Sequence, residues 1–179
     1  MERRKFLKNS LLLASSPIIT SNAFGLSLPV DKTLNLHNIH TGESIKATFF
    51  EKDHFVESEL KRLNYFFRDY RINKVANMDV NLFSLLYAIQ LVSNSSKSVD
   101  IISGYRSVQT NNFLRKHHHR GVAKHSFHTL ARAIDFKIKD RDLKDVLRVS
   151  RMMEFGGVGY YPSNNFIHVD TGRVRFWRG

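Results

Sequence analysis

Ser126-Phe127-His128, Ala133-Ile134-Asp135 and Phe166-Ile167-His168-Val169-Asp170 hold the side chains in this chain most suited to chemistry. His128, Asp135 and His168 offer two imidazoles and a carboxylate that could converge on one divalent ion. Two histidines and a carboxylate, with a fourth position left open, are a common basis for hydrolytic zinc sites. The sequence has no cysteine, so no thiolate serves as ligand or nucleophile and no disulfide staples the fold. Any metal must be held by His, Asp or Glu. The pattern points to a hydrolase.

Strands would hold these groups rigidly. Along 133–138, Ile134, Phe136 and Ile138 alternate toward one face and Asp135 toward the other. Along 166–170, His168 and Asp170 share a face opposite Ile167 and Val169. Taken singly, Asp135 could cap a neighbouring turn and His168 could be a core histidine bonded to a carbonyl. The joint spacing, a His and an Asp seven apart followed by His-x-Asp on a later strand, favours a site.

The remaining elements follow from periodicity. Leu34 to Ile39 and Ile45 to Phe50 alternate around Thr41-Gly42-Glu43, which predicts an amino-terminal hairpin. Leu60, Leu63, Phe67 and Tyr70 predict a helix from about 57 to 71. Asp79 is the expected N-cap of a second helix carrying Leu82, Leu85, Leu86 and Ile89. A strand over 99–103 runs into Gly104-Tyr105-Arg106-Ser107, then a helix over 111–117 and a basic loop over 117–128. Leu143, Val146, Leu147, Met152 and Met153 predict a helix ending at Gly156-Gly157. Two strands, 158–161 and 165–169, are joined by Pro162-Ser163-Asn164. The expected fold class is α+β, a single domain with a small, mainly antiparallel sheet and packed helices.

The 179 residues suffice for one core. Residues 1–23 read as an export signal: Arg3-Arg4-Lys5-Phe6-Leu7-Lys8 matches the twin-arginine order, a short apolar stretch follows, and Ser21-Asn22-Ala23 fits a cleavage site. The mature domain, 24–179, is then expected in the periplasm with no stable membrane span; an uncleaved signal kept as an anchor is the alternative. Losing the signal lowers the net charge from +12 to about +9. That excess favours an anionic partner, and export makes nucleic acid the weakest candidate.

The order Ser126-x-His128-x-x-x-x-Ala133-x-Asp135 resembles the zinc-binding signature of the M15-type zinc peptidases that act on peptidoglycan, and among them a murein endopeptidase subgroup. The likeness extends to Leu36-His37-Asn38-Ile39-His40-Thr41-Gly42-Glu43-Ser44, to Asn64-Tyr65-Phe66-Phe67-Arg68-Asp69-Tyr70-Arg71 and to Ile102-Ser103-Gly104-Tyr105-Arg106-Ser107. It also covers Arg120-Gly121-Val122-Ala123-Lys124 and Gly156-Gly157-Val158-Gly159-Tyr160-Tyr161-Pro162. The resemblance implies the M15/hedgehog-like architecture, Zn2+ as cofactor and His128, Asp135 and His168 as its ligands. It places Arg106 where a guanidinium steers the substrate carbonyl or carboxylate and can stabilise an oxyanion; the alternative is a structural arginine pinning its loop.

Two departures stand out. Ala131 replaces the usual glycine between the first His and the Asp. Asn165 stands three residues before the last His, where many relatives carry an acidic base. An amide cannot accept a proton from the attacking water. Asp170 is the candidate base, its alternative role being to orient His168 through the free ring N–H.

The implied function is zinc-dependent hydrolysis of amide bonds in the peptide cross-links of peptidoglycan, by a protein expected to be a monomer. Whether D-Ala–diaminopimelate or diaminopimelate–diaminopimelate is cut is not readable. The alternatives are a non-catalytic peptidoglycan-binding module, which Asn165 favours, and a D,D- or L,D-carboxypeptidase. His117, His118, His119 and His125 form an imidazole patch beside the site, with His125 a conceivable substitute ligand. Arg115, Lys116, Arg120 and Lys124 would draw an anionic wall or simply coat a solvated loop. His37, His40 and His54 read as surface or packing residues, and Trp177 as packing against the sheet.

Overall fold

A computed structural model describes residues 31–117 and 122–179. The segment 1–23, expected from the sequence to be an export signal, lies outside the described residues, as do His118, His119, Arg120 and Gly121. Among the described residues no helix is long and apolar enough to cross a membrane.

The hairpin forms as its alternation requires, β1 (Lys32–Asn38) pairing antiparallel with β2 (Ser44–Glu51). Gly42 takes the left-handed φ of 73° that closes the turn. A two-residue strand, β3 (His54–Phe55), leads into α1 (Glu57–Phe66). α1 stops short of the expected 71, because the chain turns back on itself and Asp69 bridges to Lys74. Tyr70 continues the apolar period in the sequence but stacks on His40, ring centroids 5.1 Å apart. α2 (Val80–Val92) begins where Asp79 accepts a hydrogen bond from the Asn81 N–H, and it buries Leu82, Phe83, Leu85, Leu86 and Ile89.

β4 (Val99–Ser103) is followed by α3 (Val108–His117), three residues earlier than expected. Ser107 starts it, its hydroxyl accepting from the Thr110 N–H at 3.1 Å. β5 (Ala133–Ile138) and α4 (Leu143–Met152) come next. Glu154, at φ 46°, turns the chain out of α4 before Gly156-Gly157 is reached. The glycines serve a different purpose: a Cβ on Gly156 would lie 1.8 Å from the Asp170 carbonyl oxygen. β6 (Gly157–Tyr161), a 3-10 turn at Pro162–Asn164, β7 (Phe166–Asp170) and β8 (Arg175–Arg178) complete the chain.

The α+β class and single domain hold, but the sheet expected to be small and mainly antiparallel is large and mixed. Eight strands join in the order β3-β2-β1-β4-β5-β7-β6-β8, with β1–β4 and β6–β8 parallel. The sheet outgrows the expectation for two reasons. The amino-terminal hairpin docks edge-on to β4 instead of standing apart, and residues 175–178 add an edge strand with little apolar signal in the sequence. Leu34, Leu36, Phe49, Ile101, Ile134, Phe136, Ile167 and Val169 are sealed from solvent, in one core with the buried faces of α1, α2 and α4. The apolar parity read for β5 and β7 therefore places their alternate residues as expected.

Candidate active site

Register carries the chemistry across the sheet. Ser103 pairs with Asp135, Asp135 with His168, His168 with Gly159, and Gly159 with Trp177, one row over β4, β5, β7, β6 and β8. The row forms part of the lining of a cleft of about 730 Å³. Gly159 is required in it, because Trp177 crosses directly above and a Cβ would meet its ring at 2.6 Å. Trp177 donates from Nε1 to the Tyr161 hydroxyl at 2.9 Å, and its ring lies 5.2 Å from that of His168.

His128 comes from outside the row. It sits in a one-turn 3-10 helix, Phe127–Leu130, capped by Ser126, whose hydroxyl accepts from the His128 N–H. Ala131 ends that turn in the left-handed region, φ 56° and ψ 35°, where glycine is the easier residue. The turn is laced to the β4–α3 loop from both sides: the Arg106 N–H donates to the His128 carbonyl at 3.1 Å, and His128 Nδ1 lies 2.7 Å from the Gly104 carbonyl.

His128, Asp135 and His168 are all buried, and a potential ligand atom of each lies within 4.8 Å of the others. Asp135 stands between the rings, 3.1 Å from His128 Nε2 and 2.7 Å from His168 Nδ1. The ring nitrogens facing away from this centre both have acceptors. His128 Nδ1 meets the Gly104 carbonyl, and His168 Nε2 meets Asp170 Oδ2 at 3.1 Å. Because the outward nitrogens are bonded, His128 Nε2 and His168 Nδ1 are the ones that would turn lone pairs to a metal once deprotonated, the condition a metal centre needs. The donor set therefore fits a divalent ion of the zinc type. Among the described residues His125 is not part of the cluster; it lines the cleft, exposed.

Electrostatics follow the packing. Burial opposes charge on Asp135, yet the two imidazoles hold its carboxyl far below the ordinary range. Burial pushes His128 down. It pushes His168 the same way, but hydrogen bonds to Asp135 and Asp170 win and raise it to about 9. Arg106 reaches over the centre, one terminal nitrogen 3.9 Å from Asp135 Oδ2 and 3.2 Å from Ser103 Oγ, the other 3.4 Å from Asn111.

Asp170 is completely buried and is not a lining residue of the cleft. Five donors surround it: His168 Nε2, the N–H groups of Gly157 and Gly172, and two Arg175 nitrogens at 3.0 and 2.6 Å. Burial resists its ionisation, and these bonds hold it well below the usual carboxylate range. Asn165 is exposed in the left-handed region, φ 54°, where an asparagine is at ease, and it does not line the cleft. The position read in the sequence as that of the missing base thus faces solvent here.

Sequence reading missed His40, Arg71, Tyr161 and Arg175 as lining residues of this cleft, and took Trp177 for simple packing. A cross-sheet register that brings Trp177 over Gly159 cannot be read without the strand order. Arg115, Lys116 and Lys124 are exposed and stand outside the cleft lining.

Two histidines and a carboxylate at the floor of an open cleft, with a guanidinium above them, define the site of a metal-dependent hydrolase. Comparison with known proteins gives the particular family. A family model described as peptidoglycan L,D-endopeptidase MepK matches residues 28–177. The peptidoglycan L,D-endopeptidase MepK of Escherichia coli (strain K12) is 47% identical over 176 residues, 98% of this chain and 96% of that protein. The probable peptidoglycan L,D-endopeptidase MepK of Haemophilus influenzae is 40% identical over 179 residues, 99% of this chain and 96% of its own. No solved structure matches significantly. The chain belongs to the MepK family of M15-type murein endopeptidases.

Proposed function

We propose that this enzyme is a periplasmic zinc peptidase that cleaves L,D-amide bonds in peptidoglycan cross-links, exported through the signal at residues 1–23. The carrying observation is the convergence of His128, Asp135 and His168 at the cleft floor, with the outward ring nitrogens already bonded. The relatives' name favours the diaminopimelate–diaminopimelate bond, with its carbonyl on an L centre and its nitrogen on a D centre, over D-Ala–diaminopimelate.

His128, Asp135 and His168 would hold the zinc, which supplies Lewis acidity toward the scissile carbonyl and acidifies water. Arg106 sits where negative charge would build on the carbonyl oxygen, and a guanidinium there stabilises the transition state more than the ground state. Asp170 acts through His168: with five donors around it and no face on the cleft, it orients the ring and sets its tautomer instead of receiving a proton from water. Trp177 and Tyr161 wall the cleft beside His168 and give the peptide a flat apolar surface.

Soluble cross-linked muropeptides of both linkages, followed by mass spectrometry, test the reading. The mature protein is expected to split the diaminopimelate–diaminopimelate dimer into monomers and to leave the D-Ala–diaminopimelate dimer intact. Release of a terminal D-Ala without cross-link cleavage would instead favour a carboxypeptidase.

A further inference from the structure

Positive charge is unevenly compensated along the cleft. Arg175 lines the cleft and is fully engaged by Asp170. Arg71 and Arg106 also line the cleft, and Arg71 makes no ion pair or side-chain hydrogen bond among the described residues. Arg106 reaches Asp135 only at 3.9 Å, and its buried Nε has no partner at all. Arg71 thus brings to the cleft a positive charge with no carboxylate paired to it among the described residues, and an anion there would supply the missing partner.

The placement is built, not incidental. Arg71 lies over the Tyr70 ring at 4.5 Å, and Tyr70 stacks on His40. Asp69, buried beneath, accepts from the Arg71 N–H at 3.2 Å and from the Ser107 N–H at 2.9 Å. One carboxylate thus ties the loop of Arg71 to the turn of Arg106. Asp69 forms no ion pair with either guanidinium among the described residues. The Tyr105 N–H adds a second tie, donating to the Phe67 carbonyl at 2.8 Å.

We propose that Arg71, beside Arg106 on the Asp69-tied loops, is a specificity-determining residue that receives a free carboxylate of the substrate. This rests on the endopeptidase reading and names the feature of the cross-link that the site recognises. In an amide between two diaminopimelates, the leaving nitrogen stands on a carbon that bears its own carboxylate. A planar guanidinium can take that group in two parallel hydrogen bonds, which a primary amide in its place cannot reproduce. Arg106 would serve the carbonyl side of the bond and Arg71 the amine side.

Two cross-linked dimers, identical except that this carboxylate is free in one and amidated in the other, give the test with the zinc-loaded enzyme. Wild type is expected to cleave the free form with kcat/KM about tenfold or more above the amidated form. Arg71→Ala should abolish that preference by raising KM on the free form, leaving the amidated form almost unaffected; Arg71→Lys should restore part of it. Because the amidated dimer reports an intact site, a misfolded variant is recognised by losing both. An equal loss on both dimers in folded Arg71→Ala, or no wild-type preference, would overturn the assignment of Arg71 alone. Failure of wild type to cleave either dimer would overturn the endopeptidase reading and the assignment with it.

Discussion

His168 is the residue on which the site turns, because it touches everything that matters. One ring nitrogen faces Asp135, the other faces Asp170, and the ring lies against Trp177. His168→Ala should abolish both zinc binding and cleavage. Asp170→Asn separates the two roles open to that carboxylate. An orienting residue lost in this way weakens zinc affinity by about tenfold to a hundredfold, with activity recovering when zinc is raised; a lost general base costs about a hundredfold or more at any zinc concentration. Zinc titrations of the variant's activity are expected to show recovery. The pH behaviour follows from the same bonds. In chelated protein the folded pKa of His168, about 9, lies above the imidazole's ordinary 6.5. Its charged form then stabilises the fold fully below about pH 6.5, and that contribution is lost as pH rises through 9. Zinc must displace this proton, so zinc affinity should climb with pH up to about 9, with close to one proton released per ion, measurable by calorimetry in buffers of different ionisation enthalpy. The grouping of His128, Asp135 and His168 was legible in the sequence because strand parity and spacing are local. The saturation of Asp170 was not, since four of its five donors come from the glycine and arginine positions that flank β7 in space.

Elements position these residues through close backbone approach, and glycines are where the approach is tightest. Gly156→Ala would drive a methyl group into the Asp170 carbonyl, a backbone atom that cannot yield without opening β7. A loss of about 3 kcal/mol in thermal or chemical denaturation is expected. Gly159→Ala sets its methyl nearest to the Trp177 ring, a side chain that can shift at the expense of its bond to Tyr161. Its stability should change by less than about 1 kcal/mol while cleavage falls, because the cleft wall moves. Reading Gly156-Gly157 as a helix stop was reasonable from composition, but the glycines answer a neighbour 14 residues away in sequence. The over-long α1 has a similar cause: Tyr70 keeps the helical period, yet its partner is His40 on the hairpin. Local periodicity found β1, β2, α2, β5 and β7 well. It failed where a long-range contact used an apolar or small residue for another purpose, and β8, with only four residues of alternating burial, carried too little signal.

At the scale of the whole molecule, the eight-stranded sheet brings residues 40, 71, 106, 128, 135, 168 and 177 to one cleft although they span most of the described chain. The topology that does this, with β4 and β5 central and β7 inserted between β5 and β6, is not deducible from element order alone. Net charge was legible, and it has a kinetic consequence. With +12 on the full chain, or about +9 once the proposed signal is removed, the protein should be drawn to an anionic polymer over a Debye length of roughly 10 Å at 0.1 M salt. Raising the salt is expected to slow digestion of intact sacculi several-fold more than digestion of a small soluble dimer, as followed by dye release and chromatography. Every part of this account depends on one centre being assembled from His128, Asp135 and His168. The most direct test titrates zinc into chelated enzyme while measuring cleavage of the diaminopimelate–diaminopimelate dimer. Activity should rise from near zero and level off at one zinc per chain, even if exposed histidines go on binding metal beyond that point. Full cleavage by the metal-free protein, or an equal recovery in Asp135→Ala, would contradict it.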